Sequence, residues 1–379
     1  MNKVAIICEY NPLHSGHEHL LRSARERFFA DEVYCIMSGS FVQRGEPAVC
    51  DRFTRALWAI NSGADLVAEM PGLSGSLPAD DFALMGVLSA ERLGATHLLF
   101  GSECGNIEAF IRASAEMDEP TFKARLMSHM AEGLPYPAAV AQSLDTDLDM
   151  EKPNNLLGLS YVNAIRRTGS SLIPLTLKRI GDYHAEGVKD EFMSASAIRR
   201  ALSNGEDVTG YINREILGEI LPFNKERLPL FKDFCLGRAV SVSVDGFRAL
   251  YEVEEGLENR LIECAKSAGS PDEYLSLCKT KRYTLSRLRR IMTYLALDIT
   301  KDYVNELKTS PYLRVLAVRK SEGLLSHLAG RKGVYLKYGS VPKELKHLWQ
   351  KENAAARLRD LFSQGRSCQN GRDNAIIIS

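Results

Sequence analysis

Short apolar runs alternate with helical patterns over about the first hundred residues, and this alternation restricts the possible folds more than any other feature of the chain. The apolar runs, each followed by a turn rich in Gly, Ser, Asn or Pro, are residues 3–8, 33–37, 66–70 and 97–100. The helical patterns between them cover about residues 16–28, 51–61 and 80–93. Strands that alternate with helices through short turns form a parallel sheet covered on both faces. The sequence therefore predicts an α/β fold with a Rossmann-like doubly wound parallel sheet.

The alternation stops in the second half of the chain. Residues 106–168 have mainly helical patterns, residues 171–177 have the pattern of a return strand, and a further helix begins near residue 194. From about residue 215 the pattern is helical, with one apolar face formed by Leu285, Leu288, Ile291, Met292, Leu295 and Ile299. We therefore predict an α/β domain over residues 1–215 and a mainly helical domain over residues 216–379. The last dozen residues, after Arg366, are expected to be disordered.

Charge divides the chain in a similar way, although the formal net charge of the whole is zero. Residues 279–366 carry 20 Lys and Arg against 7 Asp and Glu, so the rest of the chain is acidic by the same amount. This asymmetry indicates that one part handles a small substrate and the other a polyanion. The cations that we predict to bind RNA, beside the aromatic rings of Tyr283 and Tyr294, are Lys281, Arg282, Arg287, Arg289 and Arg290. The ordinary alternative is a solvated charged face of a helix, which so large an excess of charge disfavours.

Cysteine usage and apolar run length indicate the compartment. The eight cysteines are scattered, with no C-x-x-C pair and no histidine at zinc-finger spacing, so neither a structural zinc site nor a disulfide framework is expected. Glu9 interrupts the N-terminal apolar run too early for a signal peptide, and no uninterrupted apolar run approaches the length of a membrane span. We therefore expect a cytoplasmic protein with reduced thiols and no membrane partner.

The strongest chemical signal lies between the first strand and the first helix, where residues 11–17 read Asn-Pro-Leu-His-Ser-Gly-His. This segment is at the carboxyl edge of the sheet, where ligands bind in open α/β folds. A helix N-terminus offers free N–H groups to phosphates, and Gly16 allows close approach to the backbone. His14 and His17 can stabilise charge on phosphate oxygens, so we predict that both are catalytic in a nucleotidyl transfer. The alternative is a pair of surface histidines at a helix start.

The H-x-G-H element resembles the signature of the nucleotidyltransferase superfamily, which includes class I aminoacyl-tRNA synthetases and small adenylyltransferases. Longer motifs narrow the resemblance and together cover most of the chain: residues 9–12, 37–48 (Met-Ser-Gly-Ser-Phe-Val-Gln-Arg-Gly-Glu-Pro-Ala), 63–67, 100–103, 152–158, 178–181, 194–199 and 281–290. By these motifs the chain is similar to the bacterial tRNA(Met) cytidine acetate ligase family. The departures are small. Leu13 and Ser15 stand where the family more often has Phe and Asn, and Ala68 and Met70 replace more usual aliphatic residues.

The resemblance implies a specific activity. Such a ligase activates acetate with ATP to give acetyl-adenylate and pyrophosphate, and then acetylates the exocyclic amine (N4) of the wobble cytidine of elongator tRNA(Met), without acetyl-CoA. Carried over by position, the resemblance implies ATP contacts at Ile7, Cys8, Glu9, Tyr10, Asn11, Pro12, Leu13, His14, Ser15, Gly16, His17, Glu18, His19, Leu20, Gly101, Asn154, Asn155 and Arg179.

Several of these positions also fit the chemistry on their own terms. Gly101, at a strand end, is expected to leave room for adenine or ribose, and Arg179 is expected to bind phosphates. Asn154 and Asn155 precede a helix. The alternative to ATP binding, for either residue, is that it only caps this helix. Mg²⁺ is expected as the companion of ATP, since the sequence has no acidic cluster that indicates a dedicated metal site.

Two arginines outside the nucleotide segment are further catalytic predictions. Arg44 lies on a loop over residues 38–46 that is expected to close over the adenylate, so that Arg44 meets a carboxylate or a phosphate. Arg199 follows the helix start at Ser194 and is expected to receive the leaving pyrophosphate together with Arg179. The alternative for Arg44 is that it lies on an ordinary surface loop. The alternative for Arg199 is that it belongs to an ordinary capped amphipathic helix.

Two other functions remain open from sequence. A small-molecule adenylyltransferase explains the front half of the chain but gives the basic back half no role. A non-catalytic RNA-binding protein on a degenerate nucleotide-binding scaffold explains the basic half, but it does not need an intact His14, Gly16 and His17.

Overall fold

The computed structural model describes residues 1–179, 192–220, 227–362 and 374–379. The strands in these ranges are β1 (Lys3–Cys8), β2 (Glu32–Met37), β3 (Phe41–Val42), β4 (Glu46–Pro47), β5 (Leu66–Glu69), β6 (His97–Ser102), β7 (Ile173–Lys178), β8 (Leu313–Arg319), β9 (Val334–Tyr335) and β10 (Ile376–Ile378). The helices of the front half are α1 (Ser15–Glu26), α2 (Arg52–Asn61), α3 (Ala79–Leu93), α4 (Ile107–Glu116), α5 (Pro120–Ala131), α6 (Tyr136–Ser143), α7 (Pro153–Thr168) and α8 (Ala195–Asn204).

The back half is built largely from further helices, as its sequence pattern predicts. They are α9 (Arg214–Ile220), α10 (Arg227–Ser241), α11 (Val244–Ala249), α12 (Leu257–Ser267), α13 (Pro271–Cys278), α14 (Leu285–Leu297), α15 (Lys301–Thr309), α16 (Glu322–Ala329) and α17 (Lys346–Leu361). Short 3-10 turns occupy Ser74–Ser76, Tyr338–Ser340 and Lys343–Leu345.

The central sheet has the strand order β10-β8-β5-β2-β1-β6-β7, with β9 beside β8. Strands β5, β2, β1, β6 and β7 are mutually parallel, which confirms the predicted doubly wound arrangement. The register pairs Cys8 with Met37, and Met37 with Glu69. The carboxyl ends of β1, β2 and β5 therefore meet at one edge, where ligands bind in such sheets.

Two strands of the back half correct the predicted purely parallel sheet. Strand β8 pairs antiparallel with β5, and β10 then pairs parallel with β8, so the sheet is mixed. All residues of β8 except the last are buried, and a continuous apolar run of this kind does not distinguish a buried strand from a buried helix. The expectation of a disordered C-terminus is wrong for Ile376–Ile378, and residues 367–373 lie outside the described residues.

The two-domain division at residue 215 stays a prediction. In the structure, the back half contributes β8 and β10 to the sheet of the front half, so residue 215 does not mark the end of that sheet. The back half also shares a hydrophobic core with the front, because Ile291 and Tyr294 of α14 belong to the same buried cluster as Ala5 of β1 and Met85 of α3.

Alternating residues of β1 enter two separate cores, as expected for a strand buried on both faces. Ala5 belongs to the cluster that includes α3 and α7, whereas Val4 and Ile6 belong to the cluster that includes α1 and α2. The loop between β1 and α1 therefore starts from a strand that is buried on both faces. Within the described ranges, no helix is long and apolar enough to cross a membrane.

Candidate active site

A cavity of about 1060 Å³ opens at the carboxyl edge of the sheet. Its walls include the ends of β1 and β6, the hairpin β3–β4, and the first turns of α3, α7 and α8. The back half supplies the remaining wall, from residues 251–254 and from α14 and α15. Pockets for small molecules commonly have volumes of roughly 300–1,000 Å³, so this cavity has room for a nucleotide and for part of a second ligand.

His14 and His17 lie together at the start of α1, in the wall of this cavity. Their ring centroids are 3.8 Å apart, and Nδ1 of His14 accepts a hydrogen bond from the backbone N–H of Gly16 at 3.1 Å. A Cβ atom at position 16 would lie 3.0 Å from Cε1 of His14. A larger residue at this position would therefore crowd the imidazole.

Burial keeps both imidazoles neutral. It lowers the pKa of His14 to about 3, and the positive charge of Arg179 adds to the shift. It also lowers the pKa of His17 well below its ordinary value, with smaller contributions from His14 and Arg179. Because Nδ1 of His14 is an acceptor, its proton belongs on Nε2. The buried Nδ1 of His17 has no hydrogen-bond partner among the described residues, so the protein leaves this polar atom unsatisfied.

The first N–H groups of α1 are not free, which corrects the predicted phosphate cradle. The N–H of Ser15 bonds to the carbonyl of Tyr211 at 2.9 Å, and that of His17 bonds to the carbonyl of His14 at 2.8 Å. The N–H of Gly16 is taken by the His14 ring. The helix dipole and the imidazoles remain to stabilise an anion at this corner.

Of the residues 7–20 that were predicted to contact ATP, some line the cavity and others do not. Those that line it are Ile7, Cys8, Glu9, Tyr10, Asn11, His14, His17 and Leu20. Those outside its lining are Pro12, Leu13, Ser15, Gly16, Glu18 and His19. Leu13 is completely buried in the core, and its apolar contacts hold the loop in place.

Arg179 lies across Gly101 at the ends of β7 and β6, and both residues line the cavity. The backbone N–H of Arg179 donates to the carbonyl of Ser102 at 2.8 Å. A Cβ atom at position 101 would lie 3.3 Å from Cγ of Arg179. The space above Gly101, predicted for adenine or ribose, is therefore used by the Arg179 side chain.

Arg199 and the β3–β4 hairpin form the wall next to the histidines. Nη1 of Arg199 donates to the carbonyl of Asn11 at 2.6 Å, and Nη2 lies 3.9 Å from the Glu46 carboxylate. Arg44 is an exposed residue of the hairpin and lines the cavity. The N–H of Gln43 donates to the half-buried Glu9 carboxylate at 2.7 Å. Burial raises the pKa of Glu9, although this hydrogen bond and the nearby arginines act in the opposite direction.

The hairpin is held from behind by α14. The Thr293 hydroxyl donates to the carbonyl of Gly45 at 2.7 Å. Gly45 has a positive φ of 71°, and a Cβ atom there would lie 2.9 Å from the carbonyl oxygen of Arg289. The backbones of the hairpin and of α14 therefore touch, and α14 fixes the position of Arg44.

The two asparagines at the start of α7 have different environments. Asn155 is buried, and its Oδ1 accepts from the N–H groups of Glu103 and Cys104, both at 3.1 Å. Its Nδ2 donates to the carbonyl of Asp149 at 2.9 Å. Asn154 instead lines the cavity, and its Nδ2 donates to the Glu103 carboxylate at 2.7 Å. The geometry favours Asn154 over Asn155 as a contact for a ligand.

We therefore expect the substitutions Asn155→Ala and Asn154→Ala to act on different properties. Asn155→Ala leaves two partly buried N–H groups without their acceptor and should lower the free energy of unfolding by about 2 kcal/mol. Asn154→Ala should cost less than half of that, but it should raise the KM for ATP roughly tenfold if its amide binds the nucleotide. Urea denaturation and ATP titration of the two variants measure both effects. Equal losses of stability with equal ATP affinities would contradict this assignment.

The five cations predicted to bind RNA fall into two groups. Arg282, Arg287 and Arg290 form ion pairs with Glu254 and Glu252, whereas Lys281 and Arg289 are exposed. The Glu252 carboxylate accepts from Nε of Arg290 at 2.7 Å and from the Tyr294 hydroxyl at 2.9 Å. Arg287 and Arg290 line the cavity, so these two belong to the wall of the site rather than to an open outer surface.

Sequence reasoning missed the part of the cavity formed by Tyr251, Glu252 and Glu254. Glu252 has a left-handed backbone with a φ of 59°, which is uncommon for a residue other than glycine and recurs at functional sites. No motif marks this segment. The sequence contained only an indirect signal for this part of the cavity: two carboxylates lie about thirty residues before a cluster of arginines with which they can pair.

Comparison with known proteins gives consistent matches over the chain. A family model described as HIGH Nucleotidyl Transferase matches residues 1–373. The tRNA(Met) cytidine acetate ligase of Clostridium perfringens is 37% identical over 339 residues, which cover 83% of this chain and 84% of that protein. The tRNA(Met) cytidine acetate ligase of Oceanobacillus iheyensis is 33% identical over 341 residues, with 84% of each chain covered. The crystal structure of Thermotoga maritima TmcAL bound with alpha-thio ATP superposes with a TM-score of 0.87 at 27% identity, and all of both chains is covered.

Proposed function

Since the chain belongs to the HIGH nucleotidyl transferase family and, within it, to the tRNA(Met) cytidine acetate ligases, we propose that it is an ATP-dependent ligase that acetylates the wobble cytidine of elongator tRNA(Met). The observation that carries this proposal is the cavity that His14 and His17 share with Arg287 and Arg290. One chamber thus combines the nucleotidyl-transfer motif with cations of the basic back half.

The first chemical step is adenylation of acetate. An acetate oxygen forms a bond to the α-phosphorus of ATP, and the bond from that phosphorus to pyrophosphate breaks. His14 and His17 are neutral, so each donates a ring N–H to phosphate oxygens as negative charge develops on them. Arg179 and Arg199 lie at the same edge of the cavity and neutralise the departing pyrophosphate.

The second step is acyl transfer to RNA. The exocyclic amine of cytidine attacks the acetyl carbon, the bond to AMP breaks, and the amine loses one proton. The base must be unstacked to reach the adenylate, and the cavity volume allows both ligands. Burial raises the pKa of the Cys8 thiol, which disfavours a thiolate nucleophile, and the route requires neither a covalent enzyme intermediate nor acetyl-CoA.

ATP is the proposed cofactor, with Mg²⁺ as the companion of its phosphates. Mg²⁺ usually keeps several water ligands and binds through substrate phosphates with one or two carboxylates. Asp80 and Glu9 are carboxylates in the cavity lining and have the oxygen chemistry that the ion prefers. We further propose that the protein acts in the cytoplasm, where ATP, acetate and tRNA are available together.

Incubation with ATP, labelled acetate and total tRNA tests the proposal against its alternatives. The ligase should exchange pyrophosphate only when acetate is present and should label tRNA. Exchange that depends on a different acid or on a nucleotide would instead indicate a small-molecule adenylyltransferase. RNA binding without any turnover would indicate a non-catalytic RNA-binding protein.

Arg44→Ala is expected to lower the kcat/KM for acetate in pyrophosphate exchange by roughly 10–100-fold, because a charge-assisted hydrogen bond to an anion is worth about 1.5–3 kcal/mol. Arg200→Ala is the matched control, since Arg200 is an exposed arginine on α8 and is not among the cavity-lining residues. Full exchange and full tRNA acetylation by Arg44→Ala would exclude a role for this arginine.

A further inference from the structure

The positive charge of the back half is not spread evenly over its surface. Many of its cations are neutralised by carboxylates within the fold: Arg282, Arg287, Arg290, Lys308, Arg314, Arg319 and Arg359. These include three of the five residues that the sequence had suggested as RNA contacts. The excess of positive charge must therefore lie elsewhere on the molecule.

A large share of the excess lies in residues 331–346, which we call the basic loop. It contains Arg331, Lys332, Lys337, Lys343 and Lys346, with Glu344 as its one acidic residue. Among the described residues, none of these five cations takes part in an ion pair. Lys332, Lys337 and Lys343 are exposed, so their charge is directed to the solvent.

Aromatic packing and strand pairing hold the basic loop in place. Strand β9 within it pairs with β8 of the central sheet. The Tyr338 ring lies 5.9 Å from the ring of Trp349, its hydroxyl accepts from Gln350 at 3.0 Å, and Nζ of Lys346 lies over it at 4.9 Å. The cations are thus presented by an ordered backbone, which lowers the entropy lost when they bind a partner.

The basic loop lies outside the lining of the cavity. A Cβ atom on Gly94, at the end of α3, would run into the Arg331 guanidinium, so Arg331, the first residue of the loop, packs beside that helix end. The other end of α3, at Ala79–Asp81, lines the cavity. The 15 residues of α3 rise by about 22 Å. A polyanion that touches both places must extend well beyond the reacting nucleotide.

We propose that the basic loop binds backbone phosphates of the same RNA whose cytidine enters the cavity, at nucleotides other than the one that reacts. The inference rests on the proposed function, and it assigns affinity for RNA to Lys332, Lys337 and Lys343 and not to the ion-paired arginines of α14. Phosphate contacts position an RNA without reading its sequence. The basic loop therefore supplies affinity, while the cavity selects the base.

The test is a variant with all three exposed lysines reversed, Lys332→Glu/Lys337→Glu/Lys343→Glu. Acetate-dependent pyrophosphate exchange should stay within about twofold of wild type, since none of the three lysines lines the cavity. The KM for tRNA at 0.1 M KCl should rise at least tenfold. The plot of log KM against log salt should be shallower by about 2–3, because each lost phosphate contact removes about 0.7–0.9 from the slope.

The matched control is Arg112→Glu/Lys123→Glu/Arg214→Glu, which makes the same change in net charge at exposed sites on α4, α5 and α9. It should leave the salt slope unchanged. Equal effects in both triple variants would show that net charge alone matters and would overturn the proposal. An unchanged KM for tRNA and an unchanged salt slope in the loop variant would also overturn the proposal. The basic loop would then bind a different partner, such as an acidic protein.

Two further measurements keep the outcomes distinguishable. If the reversed variant unfolds at the assay temperature, the neutral variant Lys332→Gln/Lys337→Gln/Lys343→Gln replaces it. The KM for tRNA should then rise in the same direction, with about half the change in log KM. If the wild-type protein gives no labelled tRNA, the proposed function itself fails. In contrast, normal wild-type acetylation with an unaffected loop variant overturns the basic-loop proposal alone.

Discussion

His17→Ala is expected to lower acetate-dependent pyrophosphate exchange by about 10²–10³-fold, the loss found when one preorganised donor to a developing charge is removed. His17 lies in the cavity wall with a buried Nδ1 that has no partner among the described residues. It remains neutral because burial and the neighbouring His14 and Arg179 lower its pKa. An N–H that is already oriented in a dry site needs no rearrangement during the reaction, which is why its removal should be so costly.

The measurement is the exchange rate at saturating ATP and acetate, with tRNA affinity determined in parallel. Affinity for tRNA should remain within about twofold of wild type, because phosphate contacts dominate RNA binding. His129→Ala provides the matched control, since His129 lies on α5 and is not among the residues that line the cavity. A His17→Ala variant that exchanges pyrophosphate at the wild-type rate would remove the central assumption of the mechanism.

Local signals made the front half of the fold predictable. The run Val4–Cys8 followed by Asn-Pro indicates a strand and a turn, and the structure has β1 and α1 there. Asp51 caps α2 through the N–H groups of Phe53 and Thr54, and Gly94 ends α3 with a left-handed backbone. Caps of this kind depend on residues a few positions apart, so a single sequence contains the required information.

The sequence could not indicate which site residues have hydrogen-bond or ion-pair partners, because those partners are distant along the chain. The acceptors of the first N–H groups of α1 include the carbonyl of Tyr211, almost two hundred residues away, so the helix start looked free. Glu252 and Glu254 neutralise arginines on α14, and nothing in the spacing of those arginines reveals a partner. The predicted catalytic residues His14, His17, Arg44 and Arg199 all line the cavity at one sheet edge, but which of them have partners depends on tertiary packing.

A buried ionic cluster lies where the two halves of the chain meet, because Arg52 and Arg314 both donate to Oδ1 of Asn353. Arg314 of β8 and Arg52 of α2 are both almost completely buried. Arg52 lies 3.0 Å from the Glu69 carboxylate, and Arg314 lies 3.5 Å from that of Glu352. The Arg314 guanidinium also lies 3.8 Å from the centroid of the Trp349 ring. Charges in such a place are tolerated only when every partner is present.

Arg314→Met is therefore expected to lower the free energy of unfolding by about 3–5 kcal/mol, because it removes the cation that lies 3.5 Å from the buried Glu352 carboxylate. Arg319→Met, on the same strand, is the matched control and should cost about 1 kcal/mol or less, because the Arg319 side chain is 45% exposed and lies 4.0 Å from Asp65. Urea denaturation followed by circular dichroism measures both. If the two substitutions cost the same, the cluster is not what joins β8 to the sheet. If Arg314→Met has the larger cost, the unfolding transition should remain single, since β8 belongs to the same sheet as the strands that carry the active site.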